Sequence, residues 1–170
     1  MTKPRIVIPI GDPAGIGPEI ALKAVCDPEV RAAADCVLIG SGDVLRETSR
    51  FAGCPAIFRQ AESPADYCDD GCVYLIPMDN VDMEKLQMGQ VSAMCGRAAY
   101  EYIEKSIAFA MSGEADAVCT TAINKESLKA GHVPYICLLY TSRCVSETGL
   151  VMVRMSTGSV SHSGTFFGAP

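Results

Sequence analysis

The sequence is poor in the residues and spacings that metal centres use. It has only two histidines, and its nine cysteines include no C-x-x-C pair, so the usual zinc-site spacing is absent. Most cysteines lie in apolar segments, such as Cys36 in DCVLIG and Cys119 in DAVCTT. A thiol in such a segment behaves as a small hydrophobic group. We therefore expect free thiols, as is usual in a reducing cytosol.

Basic runs and long apolar runs are also missing. The net charge is −6 and lysine and arginine form no run, which argues against nucleic acid or an anionic membrane as the main partner. No apolar stretch approaches the length of a membrane span, and the first residues, MTKPRIVIPI, lack a signal-peptide pattern. We therefore expect a cytoplasmic protein. The 170 residues, 49% of them hydrophobic, suffice for a substantial core.

The stretch from residue 6 to residue 20, IVIPIGDPAGIGPEI, is the most informative part of the sequence. Its first residues are β-branched and form a run too short for a buried helix, so they predict a strand covered on both faces. Pro9 cannot donate a hydrogen bond to a neighbouring strand, which predicts that pairing stops near Ile8. Pro18 suits the first position of a helix, and Glu19 suits its positive end. The predicted order is strand, glycine-rich loop and helix.

The glycine-rich loop has two interpretations. Gly11, Gly15 and Gly17 would permit a tight turn and a close approach of backbone N–H groups to an anion. The dinucleotide motif G-x-G-x-x-G is absent, because Ile20 stands where its last glycine would be, and the Gly-Lys-Ser/Thr of a P-loop is absent too. The alternative is a plain turn, with Asp12 as a turn residue. The residues alone support an anion site and a turn equally.

Strand and helix patterns alternate along the rest of the chain. Short apolar runs predict further strands at 35–40, 56–58, 73–76, 115–121 and 150–155. The longest helix is predicted over 91–111, with Ser92 as its N-cap and one apolar face that includes Ile107. Shorter helices are predicted to begin after Asp27, after Ser41 or Asp43, and after Asn124. This alternation predicts an α/β fold with a parallel-rich sheet flanked by helices.

Ligands of such sheets bind beyond the carboxyl ends of the strands. By that rule the candidate loops are 11–18, 40–43 and 120–125. The third loop offers hydroxyl, amide and ammonium groups on Thr121, Asn124 and Lys125, which suit a phosphate or a carboxylate. The alternative is a capped helix start with one exposed lysine, and the residues alone favour it. The acidic loop with Asp66 and Asp70 is interpreted as a solvated loop rather than a metal site.

Three segments together resemble the 4-hydroxythreonine-4-phosphate dehydrogenase family, within the isocitrate and isopropylmalate dehydrogenase-like group. They are GDPAGIGPEI at 11–20, GQVSAMCGRAAYEYIEKSI at 89–107 and TTAINK at 120–125. The last resembles the family's TAPINK, with Ala122 in place of the proline. The resemblance runs from about Lys3 to Tyr135.

The resemblance implies an enzyme that depends on NAD and a divalent metal (Zn, Mg or Co). Such an enzyme oxidises and decarboxylates 4-phosphohydroxy-L-threonine in pyridoxal 5'-phosphate (vitamin B6) biosynthesis, or acts on a related threonate or erythronate 4-phosphate. It also implies a homodimer and a substrate or cofactor cleft. The cleft residues that we expect are Asp12, Gly15, Gly17, Thr121, Asn124 and Lys125. A non-catalytic phosphate-binding or dimerisation fragment is the alternative from another class.

The resemblance weakens after Tyr135. There ICLLYTSRCV, at 136–145, replaces the Gly-His-Thr-Glu segment whose histidine and threonine contact substrate in the family. Phe166 stands at the position of a family metal-binding histidine, so no metal ligand is assigned. We therefore expect an amino-terminal α/β part, 1–135, and a divergent tail, 136–170, that begins a truncated second domain. The expectation is an incomplete, inactive copy altered by a frame or cloning junction.

Overall fold

The computed structural model describes residues 3–133 and a strand at 151–154. Its strands are β1 (Arg5–Pro9), β2 (Asp35–Gly40), β3 (Phe58–Gln60), β4 (Val73–Pro77), β5 (Ala117–Thr120) and β6 (Val151–Arg154). Its helices are α1 (Gly17–Cys26), α2 (Pro28–Ala33), α3 (Gly42–Phe51), α4 (Ala93–Ser112) and α5 (Lys125–Ala130), and a 3-10 turn spans Pro64–Asp66.

The strands form one sheet in the order β3-β4-β2-β1-β5-β6. β1 pairs in parallel with β2 and β5, and β4 pairs in parallel with β2 and β3. Among the described strands, β6 alone runs antiparallel, beside β5. The predicted α/β class, a parallel-rich sheet flanked by helices, is confirmed, and β6 falls where the sequence predicts a strand.

Short polar side chains determine where the helices begin. Asp27, Ser41 and Ser92 accept backbone N–H groups from the first turns of α2, α3 and α4 at 2.8, 3.4 and 3.4 Å. Such bonds satisfy donors that have no partner inside the helix. The predicted caps are therefore confirmed, and Ser41 rather than Asp43 caps α3.

One predicted strand start is wrong, and one predicted strand end is confirmed to within one residue. β3 begins at Phe58 and not at residue 56, because the Ala56 N–H donates to Ser49 Oγ at 3.3 Å and is held near the end of α3. Pairing of β1 continues through Pro9, which stays in register with Ile39. Proline is tolerated there because it is the last residue of the strand, where the missing donor costs little.

The core lies between the sheet and the helices. Tyr102 and Leu22 are fully buried, and Ile103 is 5% exposed. The prediction that Ile107 belongs to the buried face of α4 is wrong, because 40% of Ile107 is exposed. Met111, one turn further on, is 66% exposed, so the last turns of α4 present an apolar outer face. No helix within the described part of the chain is long and apolar enough to cross a membrane.

Candidate ligand site at the carboxyl edge of the sheet

The candidate site lies where the strand order changes direction. β1 has β2 on one side and β5 on the other, so the connections that leave β1 and β5 diverge above the sheet. In open parallel sheets this position is the usual ligand crevice. The glycine loop, 10–17, follows β1, and the second loop, 121–124, follows β5. Two of the three loops that the sequence singles out, those after β1 and β5, are therefore neighbours.

Backbone packing joins these two loops. A Cβ placed on Gly11 would lie 2.2 Å from the Ala122 carbonyl oxygen, and Gly11 has a φ of +74°. A Cβ on Gly17 would lie 2.3 Å from the Ile10 carbonyl oxygen and 3.0 Å from that of Ala122. These glycines are needed because another backbone occupies the space that a side chain would fill.

Two hydrogen bonds complete the joint between the loops. The Asp12 N–H donates to the Ala122 carbonyl at 3.1 Å. The Thr121 hydroxyl, which is buried, donates to the Pro9 carbonyl at 3.0 Å. Since both bonds lie beside the glycine contacts, the loops form one unit, and a movement of either would disturb the other.

Asp12 shapes the glycine loop. Its side chain is only 2% exposed, and Oδ1 accepts the Ala14 N–H at 2.8 Å. The Gly15 N–H donates to the Asp12 carbonyl at 3.0 Å. Asp12 therefore has the turn role that the sequence analysis kept open. Gly15 needs no special conformation here, since a Cβ on it would meet Asp12 only at ordinary contact distances.

The helix starts beside the two loops differ in how they are capped. Asn124 Oδ1 accepts the N–H groups of Glu126 and Ser127 at 2.9 and 3.3 Å, which caps α5. Lys125, the first residue of α5, is exposed. α1 begins after Ile16, and no side chain caps it. The uncapped start of α1 therefore presents backbone donors and the positive end of the helix dipole next to the loop contact.

The connection between β4 and α4, residues 78–92, is a part of the site that the sequence analysis missed. The Gly89 N–H donates to the Ala14 carbonyl at 2.7 Å, so this segment closes over the glycine loop. Spaced apolar residues were the available signal in this segment. Four apolar residues of this segment pack against the core: Met78, Val81, Met83 and Leu86.

A polar network lies between the same segment and α4. The Tyr102 hydroxyl donates to Asn80 Oδ1 at 2.8 Å, and Asn80 Nδ2 donates to Glu101 at 2.6 Å. Asn80 and Glu101 line a cavity of about 240 Å³ with Arg97, Met94 and Ala98. A guanidinium, a carboxylate and an amide thus face one recess near the candidate site.

Cys95, in the first turn of α4, has an uncharged thiol. The side chain is fully buried. Burial, and secondarily the charge of Asp12, raises the pKa of its thiol. A thiol that stays protonated is a poor nucleophile, so Cys95 serves packing in this site.

The described residues do not fit a metal ion. Between residues 3 and 133 no three histidine, cysteine or acidic side chains come together in a way that would hold one. The acidic loop agrees with the prediction of a solvated loop. The Asp66 carboxylate accepts the backbone N–H groups of Glu62 and Ser63, each at 2.9 Å. These bonds lower the pKa of the Asp66 carboxyl. The segment 136–145 and Phe166 lie outside the described residues.

Comparison with known proteins points to one family. A family model described as pyridoxal phosphate biosynthetic protein PdxA matches residues 32–157. A Fusobacterium nucleatum relative named "Putative D-threonate 4-phosphate dehydrogenase" is 42% identical over 133 residues, which is 78% of this chain and 40% of the relative. The solved 4-hydroxythreonine-4-phosphate dehydrogenase of Burkholderia phymatum has a TM-score of 0.75 at 33% identity, covering 79% of this chain and 41% of that one.

A second solved structure agrees with the first. The 4-hydroxythreonine-4-phosphate dehydrogenase of Klebsiella pneumoniae has a TM-score of 0.72 at 30% identity and covers 79% of this chain. The chain spans about two fifths of the length of these relatives. The family match continues past residue 135, and the division into parts 1–135 and 136–170 stays a prediction.

Proposed function

Since the chain belongs to the family of pyridoxal phosphate biosynthetic protein PdxA, we propose that the whole protein is a dehydrogenase of a phosphorylated four-carbon hydroxy acid. The substrate is 4-phosphohydroxy-L-threonine in pyridoxal 5'-phosphate biosynthesis, or the related threonate or erythronate 4-phosphate. The relatives carry names of both kinds, a threonate 4-phosphate dehydrogenase and 4-hydroxythreonine-4-phosphate dehydrogenases. A terminal phosphate is common to these substrates, so phosphate recognition is the step to look for first.

One observation carries this proposal: the loops after β1 and β5 meet at the switch point of the sheet. The uncapped start of α1 lies at the same place. Backbone N–H groups at a helix start attract anions, phosphate among them. The six residues predicted for the cleft all lie on the two loops or at the starts of α1 and α5, the helices that follow them.

We assign separate roles to the residues of the cleft. Lys125 supplies a positive charge for phosphate, and the uncapped start of α1, at Gly17, supplies backbone donors. Thr121 and Asp12 are positioning residues, because their side chains are buried and bonded within the loops. Asn124 orients α5 and thereby the lysine that follows it.

The family implies two further groups, a nicotinamide cofactor and a divalent metal. The uncapped start of α1 fits a phosphate of the cofactor as well as a phosphate of the substrate. A nicotinamide cofactor, when bound, takes a hydride from the carbon that bears the substrate hydroxyl. For the metal, the part of the chain that the structure describes provides no ligand set, and no step is derived through it.

Ligand binding to the 170-residue chain tests the phosphate site. The ligands are 4-phosphohydroxy-L-threonine and D-threonate 4-phosphate, titrated in a calorimeter, with unphosphorylated D-threonate as the control ligand. A charge-assisted bond is worth about 1.5–3 kcal/mol, so Lys125→Ala should weaken binding by about tenfold or more. Lys129→Ala is the matched control, since Lys129 is also exposed and lies on the same helix. Equal affinities in the two variants would contradict the assigned site.

Turnover distinguishes an enzyme from the alternative, a non-catalytic phosphate-binding or dimerisation fragment. We expect the 170-residue chain to form little or no NADH from these substrates with added Mg²⁺ or Zn²⁺, because 136–145 and Phe166 replace family substrate and metal residues. Robust NADH formation would show that this assignment of site residues is wrong. Sequencing the source gene across codons 130–170 tests the proposed junction.

Two further parts of the proposal concern assembly and location. We propose a homodimer, supported by the exposed side chains of Ile107 and Met111 on the outer face of α4. Light scattering at several protein concentrations measures the mass directly. A cytoplasmic location is proposed from the family's role in small-molecule metabolism, and microscopy of a tagged full-length protein tests it.

A further inference from the structure

α4 and α5 pack against each other with no room for a side chain between their backbones. Gly96, the fourth residue of α4, is buried. A Cβ placed on it would lie 1.9 Å from the Ser127 carbonyl oxygen and 2.6 Å from the Leu128 nitrogen. A Cβ on Gly131, which follows α5, would lie 2.9 Å from the Ala93 carbonyl oxygen. Each helix therefore meets the backbone of the other at a glycine, as such a close approach requires.

Ser127 fixes how the two helices align. Its side chain is fully buried, and its hydroxyl oxygen accepts the N–H of Ser92, the N-cap of α4, at 3.4 Å. The Ser127 N–H donates to the Asn124 side chain at 3.3 Å, which is one of the two bonds that cap α5. The residue that meets Gly96 thus also completes the cap of α5. A displacement of Ser127 would therefore move the start of α5 as well.

Lys125 lies between two points at which the chain is held. Before it, the Ala122 carbonyl accepts the Asp12 N–H at 3.1 Å, which attaches this loop to the glycine loop. After it, Ser127 lies against Gly96. Because Lys125 and Ser127 belong to the same six-residue helix, a shift at Ser127 has little length of chain over which it could be absorbed. The contact with α4 and the joint between the loops together determine where the lysine lies.

We propose that Gly96 is a positioning residue for the phosphate site. Its missing side chain lets α5 lie against α4, and this sets the position of the Lys125 ammonium group relative to the start of α1. The inference rests on the proposed function, in which Lys125 and the start of α1 bind the substrate phosphate. In Gly96→Ala the Ser127 carbonyl oxygen would have to move by about 1.1 Å to reach 3.0 Å from the new Cβ. Misplacement by about 1 Å is enough to weaken interactions that depend on precise geometry.

A double-mutant cycle tests whether Gly96 acts through Lys125. D-threonate 4-phosphate is titrated in a calorimeter into four forms of the 170-residue chain, namely the parent, Gly96→Ala, Lys125→Ala and the double variant. Residues that act through one another show an interaction energy, whereas independent residues do not. Gly96→Ala should therefore weaken binding by about fivefold when Lys125 is present and by less than about twofold in the Lys125→Ala background.

Gly113→Ala is the matched control, since Gly113 ends the same helix. Its φ is +80°, so alanine destabilises the fold there, but no atom lies within 4 Å of the new Cβ. This variant should lose stability in urea titrations and keep its phosphate affinity within about twofold of the parent. It separates a loss of stability, which any structural glycine would show, from a loss of affinity.

Hydrogen exchange of the parent chain gives a second readout that needs no variant. Because α5 and the start of α4 are in backbone contact, a ligand that immobilises one should also immobilise the other. Bound D-threonate 4-phosphate should therefore slow amide exchange at 92–98 together with 124–131. The end of α4, 104–112, lies away from this contact and should be unchanged.

Different outcomes overturn the two proposals. A parent chain that does not bind the ligand, or binding that is equally tight in Lys125→Ala, overturns the proposed function and with it the role of Gly96. If binding depends on Lys125, the positioning role alone is overturned by equal effects of Gly96→Ala in both backgrounds, or by slower exchange confined to 124–131. Should Gly96→Ala fail to fold, the exchange result on the parent chain decides.

Discussion

Replacing Gly17 by alanine is the sharpest test of the joint between the two loops. The new Cβ would lie 2.3 Å from the Ile10 carbonyl oxygen. That oxygen must move by about 0.7 Å merely to reach 3.0 Å, a separation that real Cβ atoms rarely go below. The carbonyl belongs to the segment between Pro9 and Asp12, which holds both interloop hydrogen bonds. The movement would therefore stretch these bonds as well as strain the packing.

The expected cost of Gly17→Ala follows from three contributions. Overpacking costs about 1–3 kcal/mol, and weakening two hydrogen bonds costs about 1 kcal/mol each. The better helix propensity of alanine offsets at most about 1 kcal/mol. The free energy of unfolding should therefore fall by about 2–4 kcal/mol. With a urea dependence of about 2 kcal/mol per molar, the midpoint of unfolding should fall by about 1–2 M.

Gly15→Ala is the matched control, because it lies two residues away in the same loop. A Cβ on Gly15 would lie 3.5 Å from the Asp12 carbonyl oxygen, an ordinary contact distance. The free energy of unfolding of Gly15→Ala should stay within about 0.5 kcal/mol of the parent value. Urea titrations followed by circular dichroism measure both variants. Equal midpoints for the two variants would refute the reasoning that Gly17 is required by backbone packing.

Three other expectations follow from the same structure. Thr121→Val, which keeps the shape but removes the bond to Pro9, should lower stability by about 1–3 kcal/mol in thermal melts, whereas Thr121→Ser should retain most of it. Tyr102→Phe should cost about 1 kcal/mol through the lost bond to Asn80, and an unchanged melting temperature would contradict it. Burial, with Cys119 nearby, raises the pKa of Cys36 from 9.0 to about 11, so the folded state keeps a proton that the unfolded chain loses. The free energy of unfolding should be highest below about pH 9 and should decline toward pH 11. In Cys36→Ala this decline should be less steep, by up to about 1.4 kcal/mol per pH unit.

Elements with strong local signals could be predicted from the sequence. β2 was predicted at its observed limits, 35–40, because an apolar run ends in glycine and both faces are buried. The start of α4 followed from Ser92. The limits of β3 were not predictable in this way, because a single bond from Ala56 to Ser49 sets where the chain joins the sheet. The exposure of Ile107 depends on which side of α4 the sheet covers, and helical spacing alone does not fix that.

The candidate site was only partly predictable, and for a specific reason. The sequence showed which loops to inspect and which residues could bind an anion. Apart from the Thr121 hydroxyl, the contacts that join the loops are made by backbone carbonyl oxygens and N–H groups, as between Asp12 and Ala122. Every residue carries a carbonyl group, so a side-chain pattern gives no sign of them. The closure of Gly89 over Ala14 was missed for the same reason.

The loop contact also bears on how freely this segment can vary among relatives. Ala122 stands where the resembled family has proline, yet the atom that meets Gly11, Gly17 and the Asp12 N–H is the carbonyl oxygen of residue 122. Proline supplies that oxygen as well as alanine does. A change of side chain at position 122 that leaves this carbonyl in place should therefore be tolerated, whereas a side chain at Gly11 or Gly17 should not. Anyone exchanging loops between members of this family would need to transfer the segments after β1 and β5 together.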